Sequence, residues 1–244
     1  MKIIKKIIKW MVVVFFGSTI LAVVALRFIP VFFTPLMFIR LAEQYQEGQE
    51  LKLKHSWVSL DKISPSMPVA VMASEDARFL KHHGFDVEAI EKAAMNNLDG
   101  KRIKGGSTIS QQTAKNVFLW PGRSWLRKGL ETYFTVLIEF VWSKQRIMEV
   151  YLNSIEMGDG IYGVEAVAKE HFGTHASELT RANCALIAAT LPNPRKFSSK
   201  NPSEYMVKRK VRIMKEMRFI PLFPQEGQDV DPNTVDGGIY KKKK

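Results

Sequence analysis

The sequence predicts a mainly α-helical domain behind a single N-terminal transmembrane helix. Three observations carry that reading. An uncharged run extends from Trp10 to Leu26, several capped segments place apolar residues at helical spacing, and period-2 alternation is scarce. Apolar residues make up 46% of the 244 and charged residues 25%, enough to build one core and to exclude wholesale disorder.

Each element has its own justification. The 17 residues from Trp10 to Leu26 are rich in Val, Ile, Leu and Phe. At about 1.5 Å per residue they reach about 26 Å, close to the roughly 30 Å hydrocarbon core of a bilayer. A cleaved signal peptide would have a shorter apolar region and a small-x-small cleavage site, which Ala22-Val23-Val24-Ala25 is not. Lys2, Lys5, Lys6 and Lys9 precede the run and only Arg27 follows it closely, which predicts a cytoplasmic N-terminus with the rest of the chain outside. The second apolar stretch, Phe28 to Ile39, is broken by Pro30 and Pro35 and reads as a membrane-surface segment. The expected organisation is a basic N-terminus (1–9), an anchor (10–26), a membrane-proximal segment and linker (27–50), a catalytic-sized domain (51–223) and a flexible basic tail (224–244).

Within the domain, Asp86 is placed to cap a helix over Val87–Leu98, with Ala89, Ile90, Ala93 and Ala94 on one face and Gly100 beyond the end. Arg127–Trp142 is a further helical segment. Ser143 opens Lys144–Glu156, with Gly158 as its stop, and Thr180 opens Arg181–Thr190, apolar enough to be the buried core helix before Pro192 and Pro194.

The net charge of +12 suggests a nucleic-acid partner only until its distribution is read. Four lysines at each terminus carry most of it, leaving about +4 for the body. No RNP-type aromatic strand, zinc-finger spacing or basic zipper is present, so no nucleic acid is expected. A single cysteine, Cys184, rules out an intramolecular disulfide and a thiolate zinc cluster. His55, His82, His83, His171 and His175 form no HExxH, and no Gly-x-Ser-x-Gly elbow occurs.

Three places could carry chemistry. Glu75-Asp76 lies beside Arg78 and before His82-His83, which fits a general base with partners or a surface turn with ion pairs. Lys104-Gly105-Gly106-Ser107-Thr108-Ile109-Ser110-Gln111-Gln112 offers close backbone approach and several donors, or simply a turn into a helix. Lys115, Asn116, Arg123, Arg127 and Lys128 gather cations just ahead of Glu131, with Arg127 and Glu131 at i,i+4 on one helical face. Beside a membrane anchor, such cations suit a lipid-linked phosphate or pyrophosphate.

In these positions the chain resembles the peptidoglycan glycosyltransferases of glycosyltransferase family 51. Ser74-Glu75-Asp76-x-x-Phe79-x-x-His82-x-Gly84-x-Asp86 is similar to their first signature, and Gly105-Gly106-Ser107-Thr108-Ile109-Ser110-Gln111-Gln112-x-x-Lys115-Asn116 to the second. Arg127-Lys128-x-x-Glu131 resembles the third. Lys144-x-x-Ile147-x-Glu149-x-Tyr151-Leu152-Asn153, running on to Gly158-x-Gly160-x-x-Gly163, resembles the fourth. Ala185-Leu186-Ile187-Ala188-Ala189-x-Leu191-Pro192 with Asn201-Pro202 resembles the fifth. The blocks span about 57–215; Ser110 stands where Thr is usual.

The resemblance implies a lysozyme-like fold with a small apolar lobe at the membrane, in the bacterial inner membrane with a periplasmic domain. It implies polymerisation of lipid II onto a nascent glycan strand, with no transpeptidase activity expected. Glu75 would be the general base and Glu131 would serve the donor side. Lys115, Arg127 and Lys128 would neutralise the pyrophosphate. Ser107, Gln112 and Asn116 would bind sugar or phosphate, and Arg78 would tune Glu75. A divalent cation (Mg or Mn) at the pyrophosphate and cell-division or elongation proteins as partners are left open. A glycan-cleaving enzyme on the same scaffold is the nearest rival, and it has no use for the cations.

Overall fold

The computed structural model describes residues 2–91 and 106–224. The order is α1 (Lys2–Leu26), α2 (Pro35–Gln46), β1 (Lys54–His55), α3 (Ser66–Glu75), α4 (Ile109–Phe118), α5 (Trp125–Val141), α6 (Lys144–Ser154), β2 (Glu156–Gly158), β3 (Ile161–Tyr162), α7 (Val164–Val167), α8 (Arg181–Thr190) and α9 (Glu204–Glu216). Short 3-10 and π turns connect them. The mainly α expectation holds.

Caps set most of these boundaries. Ser124, Ser143, Thr180 and Ser203 each accept a backbone N–H from inside the first turn of the helix they open. Asp86 accepts from Ala89 N at 3.0 Å and begins helical backbone over 87–91; the remainder of the expected Val87–Leu98 helix, Gly100, Lys104, Gly105 and the basic tail from Gln225 lie outside the described residues. Two boundaries differ from the sequence reading. The helix after Ser124 starts two residues earlier than Arg127. The helix after Ser143 stops at Ser154 rather than Glu156, because Glu156–Gly158 pair as a strand, so Gly158 is a strand residue rather than a helix stop. Pro35 breaks nothing: it sits at the start of α2, where its missing N–H is no loss, and Thr34 caps that helix.

α8 is the buried centre, with Cys184 to Thr190 inaccessible to solvent or nearly so, and α3 and α9 pack on it. α4 lies between α5 and α6, locked by Phe118 stacked on Phe134 at 4.5 Å. The sheet is small, in the order β1-β3-β2, with β1 parallel to β3 (Lys54 opposite Ile161) and β2 antiparallel to it across a bulge. Asn153 ties this sheet region to α6: its amide receives Val58 N at 2.9 Å and donates to Val58 O at 2.8 Å.

α1 is long and apolar enough to cross a membrane, with mean hydropathy 2.3 in its best window, and most of its side chains are exposed. Its C-terminal half is nevertheless docked. Thr19 and Tyr133 hydroxyls meet at 2.8 Å, Trp142 Nε1 donates to Val23 O at 2.8 Å, and Arg146 donates to Leu26 O at 2.9 Å and to Ile29 O at 2.6 Å. Helix C-termini leave carbonyls without intrahelical partners, and here Arg146 serves Leu26 O while Trp142 adds a second donor to Val23 O, which Arg27 N also reaches. Phe28, Ile29, Phe32 and Phe33 beyond it remain exposed.

Gly163 is required by backbone geometry. Its φ is +81°, and an added Cβ would lie 2.6 Å from Asn153 O. Gly163→Ala is expected to destabilise by about 2–3 kcal/mol, a fall in Tm of about 5–10 °C. Gly129→Ala, at an open position on α5 with nothing within 4 Å, should leave Tm unchanged or raise it slightly. Thermal unfolding of both variants checks the pair.

Candidate active site

The site is built where α3 ends and α4 begins. Glu75 is the last residue of α3, and Asp76 follows as its C-cap with non-helical φ −159° and ψ 77°. The Asp76 carboxylate, nearly inaccessible, accepts the backbone N–H of Ile109 at 3.0 Å and the ring N–H of His82 Nε2 at 3.0 Å. Thr108 caps α4 reciprocally with Gln111 and donates to Gly84 O at 2.6 Å. Below them, Glu139 receives Lys144 Nζ at 2.7 Å and the Ser110 hydroxyl. Burial lowers the Lys144 ammonium below its ordinary value, opposed by the Glu139 charge. These buried partners fix the register between the two helices.

Glu75 opens into a cleft of about 520 Å³ whose walls include Ser74, Ser107, Gln112, Pro192, Arg209 and Arg212. Its Oε1 accepts from Ser74 Oγ at 2.7 Å and its Oε2 from Gln112 Nε2 at 3.2 Å. The amide of Gln112 is held in turn by the Tyr151 hydroxyl, which donates to Oε1 at 3.0 Å. Tyr151 is wholly buried, and burial together with the Glu75 and Asp76 charges pushes its phenol well above the usual value, so it stays a donor.

Glu131 forms the second cluster. It is 3% exposed and bound on both oxygens, to Arg127 Nη1 and Lys128 Nζ, each at 2.5 Å. Lys115 on α4 shares this field. Burial lowers its pKa from the ordinary lysine value, Glu131 opposes that shift, and Arg127 and Lys128 add to it. Arg127 Nε is buried with no hydrogen-bond partner among the described residues.

The structure brings together Glu75, Gln112 and Ser107 around the cleft, and Lys115, Arg127, Lys128 and Glu131 in one cationic cluster. Two expected residues stand otherwise. Arg78 is paired with Glu88, through Nη2 at 2.6 Å, and with Asp86 at 3.6 Å; the arginine beside Glu75 is Arg209. Asn116 is buried and donates to Gln112 O at 2.8 Å, one turn back on its own helix, so its amide secures α4. Sequence reasoning missed Arg209, which approaches from 135 positions away in a helix whose local pattern says only that it is basic. Tyr151 was visible as a motif residue, but its role as the support of Gln112 was not. Among the described residues no group of three or more His, Cys, Asp or Glu side chains converges. Both candidate glutamates are engaged by donors from the protein.

Comparison with known proteins agrees with the architecture. A transglycosylase family model matches residues 43–218. A protein of Bacteroides thetaiotaomicron named biosynthetic peptidoglycan transglycosylase is 57% identical, covering 99% of this chain and 97% of its own length. Proteins of the same name from Caulobacter vibrioides and Bdellovibrio bacteriovorus are 52% and 51% identical, over 88% and 89% of this chain and 91% and 87% of their own.

Removing the Glu131 charge leaves Lys115, Arg127 and Lys128 without their buried counter-ion. Glu131→Gln is expected to destabilise by about 2 kcal/mol, discounted for the 44% exposure of the Lys128 side chain, and to lower Tm by about 4–8 °C. Thermal unfolding in detergent measures it; an unchanged Tm would show the cluster to be solvated instead.

Proposed function

The chain belongs to the transglycosylase family, and from that premise we propose that it polymerises peptidoglycan glycan strands from lipid II at a membrane surface. One observation carries the reading. α4 bears Gln112, which grips Glu75, and one turn on bears Lys115, which faces the Arg127–Lys128–Glu131 cluster. A carboxylate suited to taking a proton is therefore tied through Gln112 to the helix that carries one of the cations suited to a pyrophosphate.

The 4-hydroxyl oxygen of the acceptor GlcNAc attacks C1 of the donor MurNAc from the face opposite its pyrophosphate. The C1–oxygen bond to the pyrophosphate breaks, the hydroxyl proton passes to Glu75, and undecaprenyl pyrophosphate leaves with inversion at C1. General-base assistance of this kind typically contributes about 10²- to 10⁴-fold. Lys115, Arg127 and Lys128 neutralise charge growing on the leaving oxygens. Glu131 holds two of those cations in place, since both its oxygens are already engaged by them. Ser107 and Gln112, on the cleft wall, bind sugar hydroxyls or phosphate. α1 anchors the domain, with Lys2, Lys5, Lys6 and Lys9 on the cytoplasmic side and the cleft outside, where it meets substrates confined to the leaflet. A glycan-cleaving enzyme is the poorer reading, because a glycosidic leaving group develops no charge that three cations would serve.

The test is detergent-solubilised protein with labelled lipid II, products resolved on a gel. Wild type should give muramidase-sensitive polymer, and Glu75→Gln should lose about 10²-fold or more of the rate. Polymer from both at equal rate would remove Glu75 from the role; shortening of preformed glycan without polymer would favour the cleaving enzyme. A second outcome concerns pH. Because burial lowers the Lys115 pKa, its ammonium in the free protein is lost at a lower pH than that of an ordinary lysine. Affinity for inorganic pyrophosphate should therefore fall on the alkaline side before ordinary lysines titrate, and Lys115→Arg should move that fall upward.

A further inference from the structure

We propose that Ser74 and Arg209 form a relay that positions the Glu75 carboxylate, making both of them positioning residues for the transfer; this rests on Glu75 being the base. Ser74 Oγ donates to Glu75 Oε1 at 2.7 Å, and Arg209 Nη2 donates to Ser74 Oγ at 3.0 Å. Arg209 itself stands 3.7 Å from Oε1, beyond direct hydrogen bonding, so the hydroxyl is the link.

A hydroxyl has one hydrogen and two lone pairs. With one lone pair taken by the guanidinium, the Ser74 hydrogen has two acceptors within reach, Glu75 Oε1 at 2.7 Å and Ala188 O at 3.3 Å. The nearer, charged acceptor wins while Glu75 is ionised, and the cationic donor behind Ser74 polarises the hydroxyl further. Once Glu75 has taken the acceptor's proton, its pull on that hydrogen weakens and Ala188 O can receive it. The hydrogen thus has a partner in both protonation states of Glu75.

The grip is two-sided. Gln112 on α4 holds Oε2 while Ser74, itself held by Arg209, holds Oε1, so the carboxylate is fixed by donors from α4 and from its own helix, the second of them backed from α9. A glutamate at the last residue of a helix would otherwise sample several rotamers, and a misplacement of about 1 Å can cost about 10²-fold in rate. Arg209 is poorly placed to stabilise the fold as such. Its Nε is buried without a hydrogen-bond partner among the described residues, so the desolvation of that guanidinium is incompletely offset.

The experiment uses the full chain in detergent with labelled lipid II, measuring kcat, KM and Tm for each variant. Ser74→Ala and Arg209→Ala should each lower kcat about tenfold with KM within about twofold. Ser74→Thr, which keeps the hydroxyl, should recover kcat to within about threefold of wild type. Ser74→Ala combined with Arg209→Ala should be no worse than the poorer single variant by more than about twofold, because both cut one relay. Wild-type kcat in Ser74→Ala, losses that multiply in the double variant, or Thr no better than Ala would each overturn the proposal. Should Ser74→Ala lower Tm as well as kcat, Arg209→Ala decides: a lower kcat at unchanged Tm supports the relay, and an unchanged kcat overturns it. Glu75→Gln separates the two readings. Full activity there removes the base itself, whereas an inactive Glu75→Gln beside a fully active Ser74→Ala removes only the relay.

Discussion

The hydrogen bonds to the Asp76 carboxylate are what the rest of the site depends on. Asp76 follows the last residue of α3, and its oxygens take the first free N–H of α4 and the ring N–H of His82. A carboxylate at a helix N-terminus meets both unsatisfied N–H groups and the positive end of the helix dipole. Buried, it leaves the two helices little freedom to slide. The neighbouring residue in sequence is Glu75, so a single structural carboxylate sets where the chemically useful one points. The division of labour is environmental: Asp76 is nearly inaccessible and saturated with donors, while Glu75 faces a cleft.

Support for Glu75 then comes through successive layers rather than one contact. Tyr151 from α6 orients Gln112, Gln112 orients Glu75, and Asn116 fastens α4 one turn along. The cationic cluster repeats the pattern. Glu131 is spent on holding Arg127 and Lys128, and the field of that group reaches Lys115 on the next helix. Such supporting shells keep reacting groups within the tolerances that transfer chemistry needs.

Much of this was legible in the sequence because it is local. Caps at Ser143, Thr180 and Asp86, the i,i+4 spacing of Arg127 and Glu131, and the apolar run of α1 depend on residues a few positions apart. The buried character of Arg181–Thr190 followed from composition. What failed was non-local. Gly158 read as a helix stop because nothing nearby says that Glu156–Gly158 will find a strand partner at Ile161–Tyr162. Arg78 read as a neighbour of Glu75 because it is three residues away, but the turn after α3 carries it to Asp86 and Glu88. Arg209 fills that place from α9, and only the packing of α9 on α3 and α8 shows it.

The docking of α1 has a mechanical consequence. Arg146 and Trp142 bind the carbonyls at its C-terminal end, and Arg146 lies on the same helix as Tyr151. A loosely linked span answers a thicker or thinner bilayer by tilting alone. In the anchored protein proposed above, a span clamped in this way would carry the folded body with it, so hydrophobic mismatch would act as a torque on α6 and, through Tyr151 and Gln112, on the cleft. Lipid thickness would then be a variable of the enzyme and not merely of its surroundings.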